Sequence, residues 1–113
     1  AQLLQQGIDL DTERHRVNLQ LAAGARRDID AVFGEADAVL APSAIGEAPT
    51  CEQTGDPVFG RVWTLLGLPC IHLPFTTGRT GLPVGLQLIG RHGQDLALLR
   101  ISKQLLPLLR EGR

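Results

Sequence analysis

Apolar positions in the first third of the chain recur at helical spacing. Val17, Leu21, Ala25, Ile29 and Val32/Phe33 stand three or four residues apart. That spacing predicts one long helix over about 11–33 with a single apolar stripe. Asp9 and Asp11 are its candidate N-caps, since a short carboxylate accepts from the unpaired N–H groups of a first helical turn. Gly34 ends the run. Gly24 weakens it by about 1 kcal/mol relative to Ala. Upstream, Ala1 to Gln6 reads as the last turns of another helix stopped by Gly7, and so abrupt an opening points to a longer helix cut short.

Beyond Phe33 the pattern shortens. Asp37 to Ala41 predicts a strand closed by Pro42. Ser43 to Gly55 is rich in Gly, Pro, Ser and Thr and predicts a long loop, of a length usually tied to function or disorder. Pro57 suits the first turn of a helix, where its missing N–H would be unpaired anyway. That helix runs to about Leu66 and stops at Gly67, with Asp56 as a candidate N-cap. Two Gly-Leu-Pro triplets, at 67–69 and 81–83, each introduce a strand, because a proline can begin a strand without donating a ladder bond. The first strand, 70–75, is apolar on both faces. In the second, 84–89, Val84, Leu86 and Leu88 face one way and Gln87 and Ile89 the other. The short link between them predicts an antiparallel hairpin. Asp95 opens a last helix, about 95–106, with an apolar stripe of Leu98, Ile101 and Leu105 beside Leu99 and Leu106. Pro107 is predicted to end it, leaving Leu108 and Leu109 exposed. The expected fold class is α/β: a partial mixed sheet of about three strands, including a hairpin, flanked by helices and forming a single domain over residues 1–113. Strands apolar on both faces need cover from both sides, and part of that cover, with at least one further strand, is expected to be missing.

Composition narrows the function classes. A length of 113 residues bounds the chain to one domain, and a 43% hydrophobic fraction is ordinary for a globular protein. With three Phe, one Trp and no Tyr, the core must be built from Leu, Val, Ile and Ala. A formal net charge of −1 provides no basic surplus to neutralise phosphates, so no nucleic-acid partner is expected. No apolar run is long enough to span a bilayer and no leader-like segment opens the chain, so no membrane partner and a cytoplasmic location are expected. Cys51 and Cys70 could form one disulfide, but Cys70, within an apolar strand, is expected to be a buried reduced thiol.

Little here can carry chemistry. The serines are Ser43 and Ser102 and the one lysine is Lys103. Ser102 and Lys103 are adjacent on a helix and do not face each other. A triad of Ser43, His72 and Asp56 can be drawn, but no Gly-x-Ser-x-Gly elbow surrounds Ser43, which reads as a turn residue after Pro42. Cys70 and His72 stand two apart on one strand and share a face. They read as a core cysteine beside a hydrogen-bonded histidine. His15, His72 and His92 have no ligand-type partner at helical spacing, and no glycine pattern cradles a phosphate, so no metal or cofactor is implied.

The spacing from Thr54-Gly55-Asp56-Pro57 through Gly67-Leu68-Pro69 to Gly81-Leu82-Pro83-Val84-Gly85 resembles the C-terminal end of the amidase signature family, and the resemblance extends from about Asp37 to Leu106. It implies a C-terminal fragment of an amidase. Such an enzyme hydrolyses a carboxamide, its small-molecule substrate, to an acid and ammonia. The family does so with a nucleophilic Ser, a second Ser and a Lys base, and none of the three is matched in this chain, so no catalytic residue is carried over. The family's Thr-Pro-Thr strand end matches Ala41-Pro42-Ser43. The following loop and the helix at Pro57 then imply Ser43, Ile45, Asp56, Phe59 and Trp63 as neighbours of the substrate pocket. Members act on carboxamides, ureides and fatty amides or release ammonia for tRNA-dependent amidation, and Thr54-Gly55-Asp56-Pro57 looks more like the general amidases. Two readings stay open: part of an amidase, inactive alone, or a non-catalytic α/β module derived from one that self-associates or binds a partner. Exposed strand edges favour self-association in either case.

Overall fold

A computed structural model describes residues 2–8 and 11–111 of the chain. Its elements, in order, are α1 (Gln2–Ile8), α2 (Thr12–Phe33), β1 (Ala38–Pro42), α3 (Val58–Leu66), β2 (Cys70–Thr77), β3 (Pro83–Gly90) and α4 (Asp95–Glu111). The α/β class and the order of elements are those the sequence predicts. Gly7 does not stop the first helix, which runs on to Ile8: a glycine weakens an exposed helix without forcing its end. Asp9 lies outside the described residues. Asp11 caps α2, its Oδ1 accepting from Arg14 N–H at 2.8 Å.

The strands form one sheet in the order β1-β3-β2, antiparallel at both pairings. The predicted hairpin is β2–β3. The expected mixed character is absent from the described strands, because the chain passes from β1 through α3 to β2 and then turns back as β3 between them, antiparallel to both. Ile89 lies opposite Val39 and Cys70, and Gln87 opposite Ala41 and His72. These residues share the face covered by α2 and α3, where Ile29, Phe33, Leu66, Leu68 and Ile89 form one core cluster. On the other face Leu73, Leu88 and Leu98 form a second, under α4. The sheet therefore has cover on both sides, as strands of this composition require.

Two edge features follow from the ladder. Ser43 N–H donates to Gly85 O at 3.1 Å and Gly90 N–H to Pro69 O at 2.9 Å. Antiparallel bonding alternates, so the N–H groups of Ala38 and Leu40 in β1, and of Cys70 and His72 in β2, turn away from β3. The next outward positions are Pro42 and Pro74, which have no N–H to offer, as suits edge strands.

Two expectations are corrected. Pro107 does not end the last helix, which continues to Glu111. Leu109, beyond it, packs on the second core cluster with Leu105 and Leu106, and that burial offsets the backbone bond Pro107 removes. Leu109 is thus not free, while Leu108 is 64% exposed. Of the predicted α2 stripe, only Ile29 and Phe33 are buried, and Val17, Leu21 and Val32 are 41%, 66% and 66% exposed. The periodicity marks the face, but among the described residues little lies against its N-terminal part.

Arg91 fastens the end of α2. Its guanidinium donates to Gly34 O at 2.8 Å, Ala36 O at 3.2 Å and Asp30 O at 3.3 Å, and lies 4.9 Å over the Phe33 ring. A cation suits the carbonyl end of a helix dipole. Arg26 does the same for α3, donating twice to Leu65 O.

Candidate functional site

The polar residues of the sheet gather where β1 ends. Ser43 follows Pro42 and is held by its backbone bond to Gly85 O. Its Oγ shares a 2.8 Å hydrogen bond with Nδ1 of His72. Ser43 stands just past the end of β1 and His72 on β2, so the bond crosses the middle strand, β3. The His72 ring crosses directly over the Cα of Gly85, and a Cβ there would overlap ring atoms. A bare Cα on β3 is what lets imidazole and hydroxyl meet.

Gln87, two residues on, is buried, and its Nε2 donates to Pro42 O at 2.9 Å and Phe59 O at 2.6 Å. Both acceptors are carbonyls near element ends, one closing β1 and the other in the first turn of α3. Gln87 thus brings the start of α3 to the end of β1. Phe59 and Trp63 are half-buried, and Trp63 packs against the first core cluster. Ile45 is 63% exposed on the loop. Asp56 is exposed and its Oδ1 accepts from Val58 N–H at 3.0 Å, capping α3 from one residue ahead of Pro57. It borders a wide, open groove of about 630 Å³ between Glu52 and Arg61, which neither Ser43 nor His72 lines.

Of the three residues that could be drawn as a triad, the fold joins Ser43 to His72 and commits Asp56 to the helix cap. Among the described residues the imidazole has no carboxylate behind it to fix its tautomer or stabilise its cation, as a nucleophile–base–orienter relay needs. Cys70 and His72 share a face, as expected, but Cys70 is exposed rather than buried, because β2 is an edge strand. Its thiol donates to Leu68 O at 3.7 Å instead of engaging His72. Partial burial of the sulfur pushes its pKa up, which makes it a weaker nucleophile than an ordinary thiol. Ser102 is buried and donates to Leu99 O at 2.8 Å, one turn back on α4.

Ser43, His72 and Gln87 form a polar floor where β1 ends, and Gln87 ties it to the backbone of Phe59 at the start of α3. Sequence reasoning missed Gln87 as the tie beneath this floor. The signal was present: one amide in a strand otherwise apolar needs buried partners.

The model of the amidase family matches residues 2–99. The chain belongs to the amidase family. Among curated amidase-family relatives, a glutamyl-tRNA(Gln) amidotransferase subunit of Sphingopyxis alaskensis is 41% identical over 81 residues, covering 65% of this chain and 16% of that protein. The chain thus spans about a sixth of the length of that relative. A solved amidase structure superposes with a TM-score of 0.79 at 26% identity, over 90% of this chain and 26% of the amidase. The corresponding glutamyl-tRNA(Gln) amidotransferase subunit of Thermotoga maritima gives 0.64 at 28% identity, over 89% and 25% of the two chains.

Proposed function

We propose that this chain is the C-terminal part of an amidase that hydrolyses a carboxamide to an acid and ammonia, and that its own residues wall the acyl pocket while the catalytic residues lie elsewhere in the protein. The observation that carries the reading is the family match across 2–99, together with a fold that superposes on only a quarter of an amidase. In the proposed reaction a Ser hydroxyl outside this chain attacks the amide carbonyl and its proton passes through a second Ser to a Lys base. The C–N bond breaks, the amine nitrogen takes up a proton, and an acyl-enzyme remains. Water then adds to the ester carbonyl, the bond between the acyl carbon and the Ser oxygen breaks, and the acid leaves.

Within that reaction Phe59 and Trp63 supply apolar surface for the acyl group, Ser43 offers a hydroxyl held in place by His72, and Ile45 covers the pocket from the loop. Asp56 contributes through the α3 cap, which sets the angle of Phe59 and Trp63. A second reading draws on the 41% identity to an amidotransferase subunit: the ammonia would then pass to an acceptor molecule instead of being released. Thr54-Gly55-Asp56-Pro57 favours the hydrolytic reading.

The test is the intact mass of the native polypeptide in its source cells, followed by assay of that species for ammonia release from a panel of carboxamides. A product of several hundred residues that releases ammonia supports the proposal. A native product of this length without activity supports instead a self-associating or partner-binding module.

A further inference from the structure

The long loop is fastened at a point that the amide reading does not use. Glu47 reaches across to the β2–β3 turn, 33 and 35 residues away in sequence. Its Oε1 accepts from Thr80 N–H at 2.9 Å and from Leu82 N–H at 3.0 Å, and its Oε2 from Thr80 N–H at 3.3 Å. The carboxylate lies against the bare Cα of Gly78, where a Cβ would overlap it. Gly78 is not in the left-handed region, so space for the carboxylate, not backbone freedom, is what calls for glycine.

The turn is shaped to hold an anion. Gly78 N–H donates to Leu82 O at 2.9 Å and Gly81 N–H to Gly78 O at 3.2 Å, with Gly81 at φ +86°. That closure leaves the N–H groups of Thr80 and Leu82 converging on one point, the arrangement in which backbone amides bind oxyanions. Among the described residues, Glu47 makes the only hydrogen bonds that join 44–55 to another element.

We propose that the β2–β3 turn is a carboxylate-binding site filled in cis by Glu47, that this contact latches the 43–57 loop to the hairpin, and that a small free carboxylate occupies the site when the latch is cut. A tethered carboxylate has a high effective concentration, so the latch stays closed against dilute competitors. The proposal rests on this geometry alone and stands whichever amide chemistry the chain serves.

Hydrogen exchange read by mass spectrometry, with limited proteolysis, tests it on the full chain as wild type, Glu47→Ala, Glu47→Gln and Gly78→Ala. Sodium acetate is the probe and sodium chloride the ionic-strength control. In Glu47→Ala and Gly78→Ala, exchange over 78–82 and cleavage within 48–55 should both rise by at least about tenfold, the equivalent of one charge-assisted hydrogen bond. Glu47→Gln, which keeps the shape and one acceptor, should fall between these and wild type. Acetate should slow exchange over 78–82 saturably in Glu47→Ala and leave wild type unchanged. Should Glu47→Ala fail to fold, Glu47→Gln reads the loss of charge and Gly78→Ala the displaced carboxylate. Unchanged exchange and cleavage in the variants that fold would overturn the latch. An acetate response no larger than that of chloride would overturn the carboxylate site.

Discussion

Gln87 carries more of the local structure than any other polar side chain at the site, because one amide satisfies two carbonyls from different elements. Gln87→Leu keeps the volume but removes the side-chain donor that Pro42 O and Phe59 O share. The expected cost is about 1–3 kcal/mol, read as a lower urea midpoint at unchanged slope. Gly85→Ala acts differently, since the new Cβ must expel the His72 ring. The Ser43–His72 bond should then be lost, visible as a changed His72 imidazole environment by NMR. An unmoved ring would show that the bare Cα is not what admits it. Cys70 gives a pH dependence with a defined sign. Burial raises its folded-state pKa, so its contribution to stability is fully present below the pKa of the unfolded thiol and is lost as pH rises through the folded one. At mildly alkaline pH its alkylation should lag behind that of free cysteine. At this scale the sequence exposed the residue types but not their partners. Ser43 and Gly85 stand 29 and 13 residues from His72, and only the register of three strands puts them together. Asp56 was legible at the start of α3 because such bonds are local, but it accepts from Val58 N–H while standing one residue ahead of the N-cap position, which Pro57 takes.

Elements whose signals are local stand close to where the sequence puts them. The α2 cap at Asp11, the stop at Gly34, the left-handed Gly67 after α3 and the β2–β3 hairpin all depend on residues within a turn or two. The departures are tertiary. Pro107 stays inside α4 because Leu109 is drawn onto the core. β1 joins β3 rather than its sequence neighbour, a pairing that no local pattern encodes. Arg91 links these scales, for it ties the loop after β3 to the end of α2. Arg91→Ala should cost about 1–3 kcal/mol, since three carbonyls lose a charged donor. It should also speed hydrogen exchange in the last turn of α2 ahead of the rest of the chain. Equal acceleration everywhere would mean that Arg91 supports the fold globally and not that helix end.

The whole molecule is thin and open. Its principal extents are 51 × 40 × 18 Å and its radius of gyration is 16.9 Å, against about 13 Å for a compact domain of this length. The excess fits the exposed stripe of α2 and two outer strands that have no further strand beside them among the described residues. These surfaces are expected to drive self-association. Sedimentation at tens of micromolar should show species larger than a monomer, and Leu21→Lys with Val32→Lys should reduce them. A monodisperse monomer in the unsubstituted chain would contradict this. Periodicity made the α2 stripe legible, whereas its lack of cover was not, because a pattern of apolar residues does not say what it packs against. This chain is proposed to wall an amide pocket whose chemistry is supplied from outside it. The most direct test is ammonia release from simple carboxamides by the 113-residue chain alone. No release above background is expected. Turnover that disappears in Ser43→Ala or Cys70→Ala would instead place the chemistry within this chain and overturn that assignment.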